Sequence, residues 1–274
     1  MIPTVAIIMR AFNEMPHVQR SLAMLERQNL RDFDLFAVDS GSTDGTLQAL
    51  RAACRDVIQI APGDYLPGKV LNDAIARTHH EIIVLLNADA VPLSDHWLEQ
   101  LIAPVLEGRA DAAFSQQVAR DDARFIVAYD YQRAYNPAKT ASGFYSAVAC
   151  AFRRDIWEVR KFREQGYAED TIWARECIKA GSRILLVPDS RVEHSHNYPL
   201  KELLRKKRRQ AKALAECGYL KPNLPAEATV CCREMLRDFF YALFRLRPDT
   251  IPYNLVYRIA IHAGTYKGIR ERRP

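Results

Sequence analysis

The chain has 274 residues, 49% hydrophobic and 26% charged, which excludes wholesale disorder and suits one large α/β domain with a smaller appendage. Its longest run free of Asp, Glu, Lys and Arg, Thr140–Phe152, is thirteen residues, short of the roughly 20 apolar residues that span a bilayer. The net charge of +6 divides unevenly: residues 194–274 hold 17 Lys+Arg against 7 Asp+Glu, a net of +10, which leaves −4 for residues 1–193. Such a basic C-terminal quarter suits an anionic partner (membrane surface, nucleic acid or phosphorylated ligand) or a solvated helical face. Val5–Met9 has no basic residue before it and no small-residue cleavage site after it, so no export signal is expected. The six cysteines form no C-x-x-C pair and are expected to be reduced thiols of a cytoplasmic protein.

The apolar run Val5–Met9 predicts a strand buried on both faces, and a helix follows from near Pro16 to about Gln28. Leu35–Val38 predicts a second strand, with Ser42–Gly45 opening a helix through about Cys54. Val57–Ile60 predicts a third strand, and a helix runs from about Lys69 to Thr78. Ile82–Leu86 is a fourth buried strand, with a helix after Pro92–Ser94 that reaches Leu106. Four such units imply a mostly parallel sheet with helices on both faces. Beyond residue 110 the pattern predicts a strand at Ala112–Val118, a helix at Asp121–Tyr135, a loop at Asn136–Gly143 and a strand at Tyr145–Phe152. It continues with a helix at Glu169–Lys179 and short strands at Arg183–Val187 and Arg191–Glu193. Three helices close the chain, at Lys201–Glu216, Ala226–Leu246 and Pro252 to about Ala263.

An open α/β sheet binds ligands at the carboxyl ends of its strands. Those ends carry Arg10–Glu14, Asp39–Thr46 and Asn87–Ala90. Ionised carboxylates gathered on one edge of an apolar sheet must be solvated, hydrogen-bonded, paired or bound to a cation. The glycine fingerprint of dinucleotide binding, the P-loop and the G-x-S-x-G elbow are all missing. A phosphate bound here therefore calls for a divalent cation on carboxylates rather than a glycine cradle.

Four segments, Ile7–Glu14, Val38–Thr46, Pro67–Asn72 and Leu86–Ala90, together resemble the family 2 glycosyltransferases of GT-A fold. The openings R-x-F-N-E and P-G-K-x-L-N are similar to the rhamnosyltransferase-like branch. The resemblance covers about residues 4–196 and keeps the motif order. It implies a GT-A, Rossmann-like catalytic domain at residues 1–196 followed by a basic helical region at 197–274. It also implies a nucleotide-sugar donor bound by Arg10, Phe12, Asn13, Glu14, Asp39, Lys69, Asn72 and Asn87, with Phe12 equally suited to core packing. Asp44 is expected to have a structural role at a helix start. The family's D-x-D metal motif falls on Asn87-Ala88-Asp89, where the first acid is a neutral amide and a weaker ligand for a hard cation. Asp89 is then the principal ligand for Mg2+ or Mn2+, joined by His194, with His196 as the alternative. By the same resemblance Asp170 is the base of an inverting sugar transfer and Glu169 helps place the acceptor. Helix N-terminal charge explains the same two residues without catalysis.

The implied activity is transfer of a sugar to a glycan or lipid-linked hydroxyl in cell-surface polysaccharide synthesis. The alternatives are a sugar-phosphate nucleotidyltransferase or a non-catalytic nucleotide-sugar or membrane-docking protein. In the tail, Met235, Leu236, Phe239, Phe240, Leu243 and Phe244 form one wide apolar helical face bordered by Arg233, Arg237, Arg245 and Arg247. That face suits packing on the catalytic body, or docking on anionic lipid at the inner face of the cell membrane. No nucleic-acid-reading module accompanies the basic run.

Overall fold

A computed structural model describes residues 4–136 and 144–272, so that only Asn136 of the loop expected at Asn136–Gly143 lies among the described residues. The chain divides into two compact units. The first comprises residues 1–120, 131–164 and 169–195; the second comprises 121–130, 165–168 and 196–274.

The first unit opens with β1 (Val5–Ala11), α1 (His17–Glu26), β2 (Phe33–Asp39), α2 (Thr46–Ala53) and β3 (Asp56–Gln59). It continues with α3 (Pro67–Ala76), β4 (Ile82–Asn87), β5 (Val91–Pro92), α4 (Trp97–Leu106) and β6 (Ala112–Val118). After α5 (Phe125–Ala134), which enters it from the second unit, come β7 (Ala149–Arg153), α6 (Arg154–Val159), α7 (Glu169–Lys179) and β8 (Ile184–Glu193). The eight strands form one sheet in the order β3-β2-β1-β4-β7-β6-β8-β5. Strands β1 to β4 and the β6–β8 pair are parallel, whereas β7 runs antiparallel to both β4 and β6, and β5 antiparallel to β8. The sheet is thus mixed, with parallel pairing at its β1–β4 end.

Alternation along β1 explains how the sheet is covered twice. Val5, Ile7, Met9 and Ala11 pack in a core with Val18, Leu22 and Leu25 of α1 and Trp97, Leu98 and Leu101 of α4. Ala6 and Ile8 point into a second core with Leu71 and Ile75 of α3, Trp157 of α6 and Trp173 of α7. The two strands predicted at Arg183–Val187 and Arg191–Glu193 are one, whose pairing with β6 is interrupted by a register shift at Ser115/Gln116. The strand predicted from Tyr145 begins at Ala149, and Pro67 starts α3 two residues before the predicted Lys69.

The second unit contains α8 (Leu200–Glu216), α9 (Leu224–Phe244) and α10 (Ile251–Arg270), the last a good turn or more longer than predicted. α10 lies against α8 through Gly264 and Gly268. A β-carbon at these positions would sit 2.5 Å from the Leu204 carbonyl oxygen and 2.1 Å from that of Arg208, so only glycine allows the approach. On its other side α10 meets α9 through charge. Buried Arg258 donates to Asp238 of α9 at 2.5 Å and to both oxygens of Asp130 at 2.5 and 2.8 Å. His262 reaches Glu227 at 2.6 Å and Glu234 at 3.2 Å. The aromatic face of α9 is exposed, with Leu236, Phe239, Phe240, Leu243 and Phe244 all open to solvent.

Candidate functional site

The parallel strands β1, β2 and β4 end side by side, and a cleft of about 280 Å³ opens at their carboxyl ends. Its lining includes Arg10, Phe12, Glu14, Ser40, Tyr65 and Asn87. Phe12 is 49% exposed in this cleft, so it is not a core residue. Asn13 holds a left-handed φ of 56°, uncommon outside glycine. In that conformation its amide N–H donates to Ser42 Oγ and its side-chain oxygen accepts from the Thr43 N–H, which ties the two strand-end loops together. Gly41, at φ 87°, lies where a β-carbon would come within 2.9 Å of Pro62 on the cleft wall.

Asp39 ends β2 fully buried. Its Oδ1 accepts from the backbone N–H groups of Gly41 and Ser42 at 3.1 and 3.0 Å, forming the turn. Its Oδ2 is buried without a hydrogen-bond partner, an expensive state for a carboxylate oxygen. Asp44 accepts from the Met15 and Thr46 N–H groups. Desolvation opposes them, but the hydrogen bonds together hold its carboxyl below the usual range, in keeping with a structural role at the start of α2. Glu14 is pushed up to about 8, first by burial and then by the charge of Asp89, with Arg120 opposing.

Arg10 joins this cleft to the start of α7. Its guanidinium donates to Asn87 Oδ1 at 3.0 Å and to Glu169 Oε1 at 3.1 Å, with a longer contact to the Ala147 carbonyl at 3.4 Å. Burial works against the charge of Arg10, yet Tyr65 and Glu169 more than restore it. Glu169 is held above the ordinary carboxylate range by burial and by neighbouring Asp170, with Arg10 pulling the other way. Asp170 Oδ1 accepts from the Thr171 N–H at 2.6 Å, and its Oδ2 is 3.4 Å from the Ala147 N–H. Ala168, immediately before the pair, has a φ of 72°. A strained residue of this kind marks a backbone held for its neighbours' positions.

Asp89, after β4, is 2% exposed and its Oδ2 lies 3.5 Å from His194 Nε2, at the end of β8. His194 Nδ1 is 2.8 Å from Gln117 Oε1 and 3.2 Å from the Tyr131 hydroxyl. Gln117 is oriented by its own Nε2, which donates to Ser146 Oγ. A hydrogen on Nδ1 satisfies Gln117, and Nε2 then turns its lone pair toward Asp89. One carboxylate oxygen and one imidazole nitrogen facing each other are a donor set that suits Mn2+ and accepts Mg2+ less readily. Arg120 donates to the same Asp89 Oδ2 at 3.0 Å and to the Asp89 carbonyl at 2.6 Å, which supplies positive charge there already. His196 belongs to the second unit.

Two of the expected donor-site residues point elsewhere. Lys69 is exposed and pairs with Asp73 one helical turn on, at 2.6 Å. Asn72 is buried in a network of its own, accepting from Trp157 Nε1 and the Phe162 N–H and donating to the Phe162 carbonyl and Glu164. Conversely, Arg120, Gln117, Tyr131 and Tyr65 escaped the sequence analysis. Arg120 follows β6, so the strand-end rule applied to that strand as well would have found it.

Comparison with known proteins identifies the family and the fold. The sequence profile described as Glycosyl transferase family 2 matches residues 6–164, more than half of the chain. The O-antigen chain rhamnosyltransferase WbaN of Salmonella anatum is 26% identical over an alignment of 188 positions that covers 63% of this chain and 60% of that protein. The chain thus matches about three fifths of that relative's length. The mannosyltransferase PcManGT of Pyrobaculum calidifontis, solved with GDP-Man and Mn2+, superposes with a TM-score of 0.65 at 19% identity, covering 94% of this chain and 74% of its own. Glucosyl-3-phosphoglycerate synthase of Mycobacterium tuberculosis, solved with Mn2+, UDP and phosphoglyceric acid, superposes with a TM-score of 0.61 at 22% identity, covering 80% of each chain. These two likenesses show the fold, an α/β sheet flanked by helices as in GT-A glycosyltransferases.

Proposed function

The chain belongs to glycosyl transferase family 2, and from that premise we propose that it transfers a sugar from a nucleotide diphosphate to a glycan or lipid-linked hydroxyl with inversion at the anomeric carbon. The observation that carries this reading is the position of Arg10. It lines the strand-end cleft and bonds to Glu169 at the start of α7, so one buried cation serves both the donor cleft and the carboxylate pair. Asp39 Oδ2 is the acceptor for a base N–H, a bond that relieves its unpartnered state, and Phe12 offers the base an apolar wall. Glu14, whose carboxyl is raised by burial, lines the same cleft.

Asp170 takes the acceptor's hydroxyl proton as that oxygen bonds to the anomeric carbon and the bond from that carbon to the diphosphate breaks. Glu169, neutralised by Arg10 or by a proton, places the acceptor without competing for that role. Asp89 and His194 are the residues that hold a divalent cation, Mn2+ or Mg2+, with Arg120 balancing Asp89 beside it. Such a cation supplies charge neutralisation for the departing diphosphate. The likeness to a rhamnosyltransferase of O-antigen chains supports a deoxyhexose donor and a role in cell-surface polysaccharide synthesis, centred on residues 1–196. The likenesses to enzymes solved with Mn2+ support the cation.

A thermal-shift screen of UDP, GDP and dTDP with and without Mn2+ or Mg2+ tests the donor side. The expected result is stabilisation by one diphosphate, enhanced by the cation and abolished in Asp89→Ala. Indifference to every nucleotide, in the presence of cation, refutes the reading.

A further inference from the structure

The second unit has its polarity reversed. Helix α9 turns Asp238 and Glu234 inward to Arg258 and His262 of α10, and turns Leu236, Phe239, Phe240, Leu243 and Phe244 outward. On α10, Val256 and Ile259 are exposed as well. Water-facing helices place these side chain types the other way round. Apolar patches of this kind, bordered by charge, mark a surface that is covered in use.

The end of α9 shows that this exposure is maintained at a cost. The helix closes with the Arg247 N–H donating to the Ala242 carbonyl and the Leu246 N–H to that of Leu243. This closure needs a left-handed residue, a place glycine commonly takes. Here Leu246 holds it, at φ 55°, and its side chain is 84% exposed beside Phe244, itself 80% exposed. A leucine there is strained and buries nothing, so folding gives no reason for it.

Charge selects the occupant. Arg233 stands exposed one turn before Leu236, Arg245 between Phe244 and Leu246, and Lys267 and Arg270 are exposed further along α10. They belong to a segment, residues 194–274, with a net charge of +10. A second copy of the same face would set these cations against themselves. An anionic bilayer meets them with opposite charge and takes the phenylalanines into its headgroup boundary. Among the described residues no helix is long and apolar enough to cross a membrane, so a bilayer would meet this face at its surface. We propose that the outward face of α9, with Leu246 and the exposed residues of α10, docks the protein on an anionic lipid surface. This does not rest on the assignment of the donor site, and its test reads lipid binding rather than transfer.

The full chain is floated with vesicles of phosphatidylcholine alone and of phosphatidylcholine mixed with phosphatidylglycerol. Binding is expected to the anionic vesicles at low salt and to weaken as salt screens the arginines. Phe240→Ser with Phe244→Ser should weaken it by about tenfold or more, from lost apolar burial. Leu246→Gly is the control against misfolding, because it should raise the unfolding midpoint and still weaken flotation. No flotation with anionic vesicles at low salt, equal flotation with neutral ones, or unchanged binding of the variants overturns the proposal. So does light scattering that shows a dimer dissolved by Phe244→Ser, which would make a second copy the occupant.

Discussion

Replacing Arg10 by Met tests whether the cation that joins the cleft to α7 is needed for its charge. The Arg10 and Glu169 side chains are only 12% and 11% exposed, so removing the guanidinium strands a buried carboxylate. That change costs about 3–5 kcal/mol in comparable buried pairs. Glu169→Gln alone keeps an oxygen for Arg10 and removes a charge beside Asp170, so about 1 kcal/mol is expected. In the double variant the stranded charge is gone, and a coupling of about 2 kcal/mol should be recovered. The pH dependence gives a second signature. Burial and Asp170 raise the Glu169 carboxyl while Arg10 pulls it down, so Arg10→Met lets it rise further. A carboxyl raised in the folded state costs stability above its unfolded value, and this cost vanishes once both states are protonated. The deficit of Arg10→Met should therefore be greatest near neutral pH and shrink as pH falls below the ordinary carboxylate range. Urea unfolding of the four proteins across that range measures both effects. A deficit under about 1 kcal/mol, strict additivity or a pH-independent deficit would refute the reasoning.

Asp39→Asn keeps the oxygen that makes the turn and replaces the unpartnered one by an amide. Stability should hold or rise, while calorimetry should show nucleotide diphosphate affinity reduced about tenfold or more, the value of one hydrogen bond to a charged acceptor. Asp170→Asn should lower the rate of sugar transfer by about 10²-fold or more with donor affinity and melting temperature little changed, and near-wild-type turnover would remove Asp170 as the base. Against the pull of burial, Glu227 and Glu234 raise His262 above its ordinary 6.5, so its contribution is complete below that value and fades as pH climbs through the raised one. Glu234, lowered from 4.5 to about 2 chiefly by His262, contributes above 4.5 and loses that contribution as pH falls toward 2. The melting temperature should thus be highest between those limits. Glu234→Gln should soften the acid side and His262→Gln the alkaline side, and a profile unaltered by either variant counts against the network.

The β-α alternation through α4 was legible because each strand there is a short apolar run and each connection a separate helix. Past residue 110 the same logic fails for a physical reason. Ala149–Phe152 is buried on both faces in either direction, so composition does not reveal that β7 runs antiparallel to β4 and β6. The split predicted in β8 followed from the polar stretch Pro188–Arg191, which the register shift opposite Ser115/Gln116 accommodates without ending the strand.

Strand-end residues were the readable part of the site, since topology alone brings Arg10, Asp39, Asn87 and Asp89 to one edge. Pairings made by long side chains across the sheet were not. Arg120 lies 31 residues from Asp89 in sequence, yet donates to it at 3.0 Å, and no spacing rule connects them. Asn72 illustrates the converse, because a motif position lends a residue significance while the fold uses its amide to hold Trp157 and Phe162. The tail divides in the same way. Periodicity identifies the aromatic stripe of α9, but an amphipathic helix can bury either face. The choice falls to Arg258, which is 3% exposed. Once this arginine is buried between α9 and α10, Asp130 and Asp238 must turn inward to neutralise it, since an unpaired buried charge costs several kcal/mol or more. Helix geometry then sends Phe240 and Phe244 to the opposite side. The exposed aromatic face thus follows from a buried ion pair that the sequence pattern did not disclose.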